Sequence, residues 1–317
     1  MAPADPPVSH RKVQAGSLTM HVAEAGQGPL VLLLHGFPES WYSWRHQLTA
    51  LAAAGYHAVA PDQRGYCQTS APTGVADYTI FHLTGDVVAL MDVLGDDRAV
   101  VAGHDWGAPV AWHTALFRPD RIRGVIGLST PYRPRGSTPP VAALRQHLGD
   151  GFYIVYFQQP GVADAELSRD PERTFRAVLS GLSGEAAAVP LVPPGLGLLD
   201  AIRAPDALPA WLTEQDVHAY VSEYAEAGFT GPLNWYRNID RNWELTAAWR
   251  HALIDVPALF IAGDSDPNLR TISPDGLATF LPRLTRTVLL PGCGHWVQQE
   301  RPAEVTAALL EFLAALD

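Results

Sequence analysis

RAVVAGHDWGAPVAW, residues 98 to 112, decides the fold. The apolar run Ala99 to Ala102 reads as a buried strand, and PVAW reads as the first turns of a helix. Between them Gly103 and Gly107 flank Asp105, so the chain must turn sharply and lift one side chain to the carboxyl end of the strand. An aspartate at a helix start can be an ordinary N-cap. Paired glycines in a strand, turn and helix favour a second reading, a nucleophile held on an elbow.

Working outward, LTMHVAEAG (18 to 26) and PLVLLLHG (29 to 36) read as strands, the second apolar throughout as in a strand covered on both faces. WYSWRHQLTALAAAG (41 to 55) is an amphipathic helix closed by Gly55, YHAVAPD (56 to 62) a strand, and IFHLTGDVVALMDVLG (80 to 95) a helix. Strands at 98 to 105 and 122 to 130 bracket the helix Trp106 to Phe117. This alternation predicts a mostly parallel α/β sheet flanked by helices. It resumes with VPALFIAGD (256 to 264), RTVLLPG (286 to 292) and the helix EVTAALLEFLAAL (304 to 316).

Residues 131 to 247 are different: long helical patterns, several prolines, the loop VPLVPPGLG and many aromatics, without β alternation. They predict an inserted helical cap, with residues 1–130 and 248–317 forming the core. Within the cap, Thr213 and Asp216 mark a helix start, Gly228 its stop, and Pro232 opens another helix containing NWYRNIDRNW.

The 317 residues are 47% hydrophobic and 17% charged, enough for one large core, and 33 acidic against 22 basic residues give a net charge of −11 that disfavours nucleic acid. The Lys and Arg residues are scattered. Two cysteines, Cys67 and Cys293, make no disulfide framework and suit a reducing cytoplasm. MAPADPPVSHRKV at the start has no apolar h-region, and no run reaches the ~20 apolar residues of a membrane span. The reading is a cytoplasmic protein, with neither nucleic acid nor membrane as partner. Whether it is a monomer or a homodimer is not fixed by the sequence.

Ligand sites in open parallel sheets form beyond the carboxyl ends of the strands. Phe37, Asp105, Asp266 and His295 each follow a predicted strand and should meet at that edge. His295, in GCGHW, is the natural base near neutral pH; His35 and His104, beside glycine turns, read as structural. GDSD offers Asp264 and Asp266 as the acid that orients the base, with the other stabilising the turn; Asp266 is favoured. HGFP (35 to 38) brings the Phe37 amide beside that of Trp106, a pair of donors suited to an oxyanion.

A serine nucleophile would give an acyl-enzyme, whereas an aspartate attacking a carbonyl would give a labile anhydride. A carboxylate is suited to displacement at saturated carbon, forming an alkyl ester that histidine-activated water then hydrolyses. Epoxides and alkyl halides both meet that demand. A halide calls for indole N–H donors; an epoxide oxygen calls for a weak acid such as tyrosine. The cap has Tyr132, Tyr153, Tyr156, Tyr220, Tyr224 and Tyr236, and residue chemistry does not choose among them.

HGFPESWYSWRHQ (35 to 47), DQRGY (62 to 66), GHDWGAPVAW (103 to 112), YFQQPGVADAEL (156 to 167), GFTGPLNWYRNIDRNW (228 to 243) and GCGHWVQQERP (292 to 302) together resemble the soluble, bacterial-type epoxide hydrolases of the α/β-hydrolase fold. The resemblance covers nearly the whole chain. It implies a cofactor-independent, metal-free hydrolase turning a small apolar epoxide and water into a vicinal diol, with Asp105 as nucleophile, His295 as base and Asp266 as acid. It also implies oxyanion amides at Phe37 and Trp106, and tyrosine donors at Tyr236 and at Tyr153, with Tyr156 as the alternative. The expected pocket comprises Phe37, Pro38, Trp106, Phe157 and Trp296. GxDxG and HGxP are shared with haloalkane dehalogenases, the first rival; a non-catalytic binding protein on the same fold is the second. The stretch VPLVPPGLGLLDAI matches the family only loosely and is expected to line the pocket.

Overall fold

The computed structural model describes residues 6–184, 191–202 and 207–316. The first five residues and residues 189 and 190 of the VPLVPPGLG loop lie outside these. Eight strands form one sheet: β1 (Ser9–Ala15), β2 (Leu18–Ala25), β3 (Leu30–Leu34), β4 (His57–Pro61), β5 (Ala99–His104), β6 (Ile122–Leu128), β7 (Ala258–Gly263) and β8 (Leu284–Leu290). Their order is β1-β2-β4-β3-β5-β6-β7-β8; β2 runs antiparallel to both β1 and β4, and the other pairs are parallel.

Every residue of β3 is buried, as its unbroken apolar run requires. Alternate side chains feed two cores: Leu30, Leu32 and Leu34 join one, and Val31 and Leu33 the other. At ~1.5 to 3 kcal/mol for each fully buried aliphatic side chain, this register is strongly enforced, since a one-residue slip would exchange the two sets. The helix Pro302–Ala314 covers the second core with Val305, Leu309 and Phe312.

Several boundaries differ from expectation. β1 was not legible, because only Val13 and Ala15 of its seven residues are buried. Residues 41 to 55 begin as a 3₁₀ turn over Trp41–Trp44 before the helix Arg45–Ala53. The terminal helix starts two residues early, with Pro302 in its first turn.

Between β6 and β7 the described residues form helices and a single isolated bridge, Phe152 with Leu191. Thr213 and Asp216 make the capping box of the helix Glu214–Tyr224. That helix ends at Tyr224, short of Gly228, which accommodates the following turn at φ +61°. NWYRNIDRNW spans two helices, Thr230–Arg237 and Ile239–Leu245, broken at Asn238. There the Asn238 amide donates to the carbonyls of Val75 (2.6 Å) and Asn234 (2.8 Å), tying the break to the core. No helix among the described residues is long and apolar enough to cross a membrane.

Candidate active site

β5 delivers Asp105 on a turn that only this sequence pattern allows. Asp105 has φ +49°. A Cβ on Gly103 would lie 2.0 Å from the Gly107 carbonyl oxygen, and one on Gly107 would lie 2.1 Å from that of Leu34, so strand, turn and helix close only through glycine. Asp105 is not an N-cap. Trp106 holds that position, and the Asp105 side chain turns toward β3, where its Oδ1 accepts from the Phe37 amide at 2.7 Å.

The other strand ends converge on it. Nε2 of His295 lies 3.3 Å from Asp105 Oδ2, and its Nδ1 lies 2.8 Å from Asp266 Oδ2. Asp266 is buried and also accepts from the Asn268 amide at 2.8 Å. Asp264 instead accepts from the Gly292 amide (2.8 Å) and the Ser265 hydroxyl (3.0 Å), bracing the turn. The His295 carbonyl accepts from His104 Nε2 (2.8 Å) and the Ser129 hydroxyl (2.6 Å). Nδ1 of His104 rests 2.7 Å from buried Glu39, which also receives the amides of Gln298 and Gln299. His35 fixes the neighbouring turn through the Gln63 amide, at 3.1 Å. Glu39 was not singled out from the sequence; its place in HGFPES opposite the paired glutamines of GHWVQQERP was the available signal.

Burial alone would raise the Asp105 carboxyl, but the His295 hydrogen bond and charge, the nearby His104 and the Phe37 amide hold it below its ordinary value. Burial alone would lower the His295 imidazole. The charges of Asp266 and Asp105, with their hydrogen bonds, raise it well above its ordinary value instead.

A narrow cavity opens over this pair. Its walls are Phe37, Phe157, Val178, Leu182, Leu198 and Ile202; Asp105, His295, Asn268, Tyr153 and Tyr236 supply its polar groups. The rings of Tyr153 and Tyr236 are 6.2 Å apart, and burial raises both phenols well above their ordinary value, so both stay protonated donors. Tyr156 does not line the cavity; its hydroxyl donates to Glu166 at 2.8 Å.

Tyr236 is placed by its neighbours in NWYRN. The buried indole of Trp235 donates to the Arg64 carbonyl at 3.0 Å, joining this helix to DQRGY, and Arg237 pairs with Asp164 and donates to the Phe157 carbonyl at 3.2 Å. A Cβ on Gly231 would lie 2.3 Å from the Gly65 carbonyl oxygen, so the two segments touch backbone to backbone.

Of the expected pocket residues, Phe37 and Phe157 line the cavity, whereas Pro38, Trp106 and Trp296 do not. At Pro38 the chain turns away, closed by the Glu39 amide on the Gly36 carbonyl at 2.9 Å. Trp106 stands edge-on to Tyr236 and Trp235. Trp296 is buried behind His295, its indole donating to the Leu179 carbonyl at 2.8 Å. Leu198 and Ile202 come from the loosely matching LLDAI stretch; Val178, Leu182 and Asn268 carried no signal that separated them from core or turn residues.

Residues 29–302 match the alpha/beta hydrolase fold family. The chain is 49% identical to epoxide hydrolase A of Mycobacterium tuberculosis, covering 98% of both chains, and 39% identical to an epoxide hydrolase of Caballeronia sordidicola, covering 98% of this chain and 95% of that one. The crystal structure of epoxide hydrolase A from Mycobacterium thermoresistibile superimposes with a TM-score of 0.94 at 49% identity, covering 98% of this chain and 99% of that one.

Proposed function

The chain belongs to the epoxide hydrolases of the α/β-hydrolase fold and hydrolyses epoxides to diols; from that premise we propose that it works through an ester on Asp105, with residues 131–247 as the cap. The observation that carries this reading is an ionised carboxylate, held by the Phe37 amide and facing a largely apolar cavity that also contains two tyrosine hydroxyls.

Oδ1 is held by the Phe37 amide at 2.7 Å, and Oδ2, in the longer 3.3 Å contact with Nε2 of His295, attacks the epoxide carbon. The carbon–oxygen bond breaks on the opposite side, and the leaving oxygen takes a proton from Tyr153 or Tyr236. Esterification removes the Asp105 charge that helped hold a proton on His295. The imidazolium gives up that proton, which restores the tyrosine hydroxyl, and neutral His295 is then able to deprotonate water. Hydroxide adds to the ester carbonyl, the Phe37 and Trp106 amides stabilise the oxyanion, and collapse frees the diol and the carboxylate. Asp266 keeps the imidazole oriented throughout, as the 2.8 Å contact supports.

The substrate is a small apolar epoxide, in keeping with the aromatic and aliphatic walls. The buried, unpaired Cys67 and Cys293 support a cytoplasmic setting. In a His295→Gln variant mixed with an aryl epoxide, intact-protein mass spectrometry should show one epoxide mass added, and peptide mapping should place it on Asp105. A folded variant that gains no mass refutes the ester.

A further inference from the structure

Three side chains from two segments, the loop after β4 and the helix Glu214–Tyr224, come together. Asp62 follows β4, Cys67 closes the turn, and Glu223 comes from the cap helix Glu214–Tyr224. One ligand atom from each, two carboxylate oxygens and the Cys67 sulfur, lies within 4.8 Å of the others. Among the described residues no other group of three or more His, Cys, Asp or Glu side chains meets this condition.

The thiol is the informative member. Cys67 is only 8% exposed, unpaired, and makes no hydrogen bond, although it sits at φ +47° where a glycine would be less strained. Its body packs in the first core, and its sulfur lies within 4.8 Å of two carboxylate oxygens, an arrangement that also suits ligation. The carboxylates are also pre-oriented. Asp62 accepts from the Trp41 amide (3.0 Å) through Oδ1 and contacts His21 Nδ1 (2.7 Å) through Oδ2. Beyond it, His21 Nε2 lies 3.1 Å from His10 Nδ1. Glu223 accepts from the Trp41 indole at 3.1 Å and from Gln68 at 3.4 Å. Hydrogen bonds of this kind hold metal-ligating carboxylates in place while leaving each oxygen a lone pair.

We propose that Asp62, Cys67 and Glu223 form a site for one divalent cation of the zinc type, with water as fourth ligand, bridging the core and the cap. Sulfur beside oxygen selects a d-block cation over calcium or magnesium, which take oxygen ligands. Tetrahedral zinc, with bonds of ~2.0 to 2.3 Å, sets its ligands roughly 3.3 to 3.8 Å apart. The present spacing therefore needs to close by about 1 Å, within reach of the half-buried Glu223 side chain. On binding, the thiol loses its proton to water as the sulfur–metal bond forms.

The test uses cobalt(II) as a spectroscopic probe on reduced, chelator-stripped full-length protein. The expected result is one equivalent bound with a thiolate-to-cobalt charge-transfer band in the near ultraviolet, displaced by zinc. Cys67→Gly, which relieves the backbone, should lose the band, and Glu223→Gln should weaken binding by more than about tenfold. Zinc should raise the melting temperature of wild type and not of Glu223→Gln. The proposal is overturned by the absence of the band in wild type, by the same band in Cys67→Gly, or by unchanged affinity in Glu223→Gln; the last comparison decides the matter if Cys67→Gly does not fold.

Discussion

Removing the two cavity hydroxyls separates ring opening from everything else the protein does. Tyr153 and Tyr236 face the same cavity as Asp105, with their rings 6.2 Å apart, so both can reach one epoxide oxygen. Phenylalanine keeps each ring and its packing against Phe157, at 5.7 Å for Tyr153 and 4.9 Å for Tyr236, so stability should hardly change. A hydrogen bond to a charged oxygen is worth ~1.5 to 3 kcal/mol, and the surviving tyrosine partly compensates for loss of the first. Either single variant should therefore slow alkylation by about 2 kcal/mol, roughly thirtyfold. With both removed, the oxygen leaves as a bare alkoxide among apolar walls, and about 5 kcal/mol is lost, roughly a few thousandfold. Stopped-flow fluorescence with enzyme in excess reads this step through Trp106, whose ring stands 5.1 Å from that of Tyr236. A well-folded double variant that alkylates within about tenfold of wild type would refute the donor role.

Three further outcomes follow from the geometry. The folded-state value of His295 is raised, so its contribution to stability is complete below its unfolded value of 6.5 and is lost as pH rises through the folded value; urea titrations should show the gap between wild type and His295→Gln narrowing from pH 6 to pH 9.5, and a constant gap would contradict the assignment. Trp235→Phe strands the Arg64 carbonyl and should cost ~1 to 3 kcal/mol in urea unfolding while raising KM, since the helix carrying Tyr236 loses its tie to the core. Gly36→Ala places a methyl 2.3 Å from Asp105 Oδ1, so the folded variant should lose alkylation by more than about a hundredfold; near-normal activity would show that Asp105 need not sit there.

The parts of this molecule that can be read from sequence are those in which a local pattern and the global fold demand the same residue. β3 announces itself because both of its faces are covered, and the 103–107 elbow because no other residue fits its glycine positions. β1 does not, since an exposed edge strand needs no apolar pattern. The convergence of Phe37, Asp105, Asp266 and His295 follows from strand order and is legible for that reason. The cavity walls are another matter. Leu198 and Ile202 face the site through tertiary placement of the segment between β6 and β7, which no local period encodes, and Trp106 and Trp296 sit beside Asp105 and His295 in sequence while their rings pack elsewhere. Proximity along the chain is a weak guide to which side of a residue meets the substrate.

In the proposed mechanism one carboxylate oxygen of Asp105 becomes part of the product. A single turnover in ¹⁸O-water, with enzyme in excess over an aryl epoxide, tests it directly by mass spectrometry of both diol and protein. The mechanism requires an unlabelled first-turnover diol and ¹⁸O on Asp105. Diol carrying the heavy isotope from the first cycle, with Asp105 unlabelled, would mean that water attacks the epoxide itself.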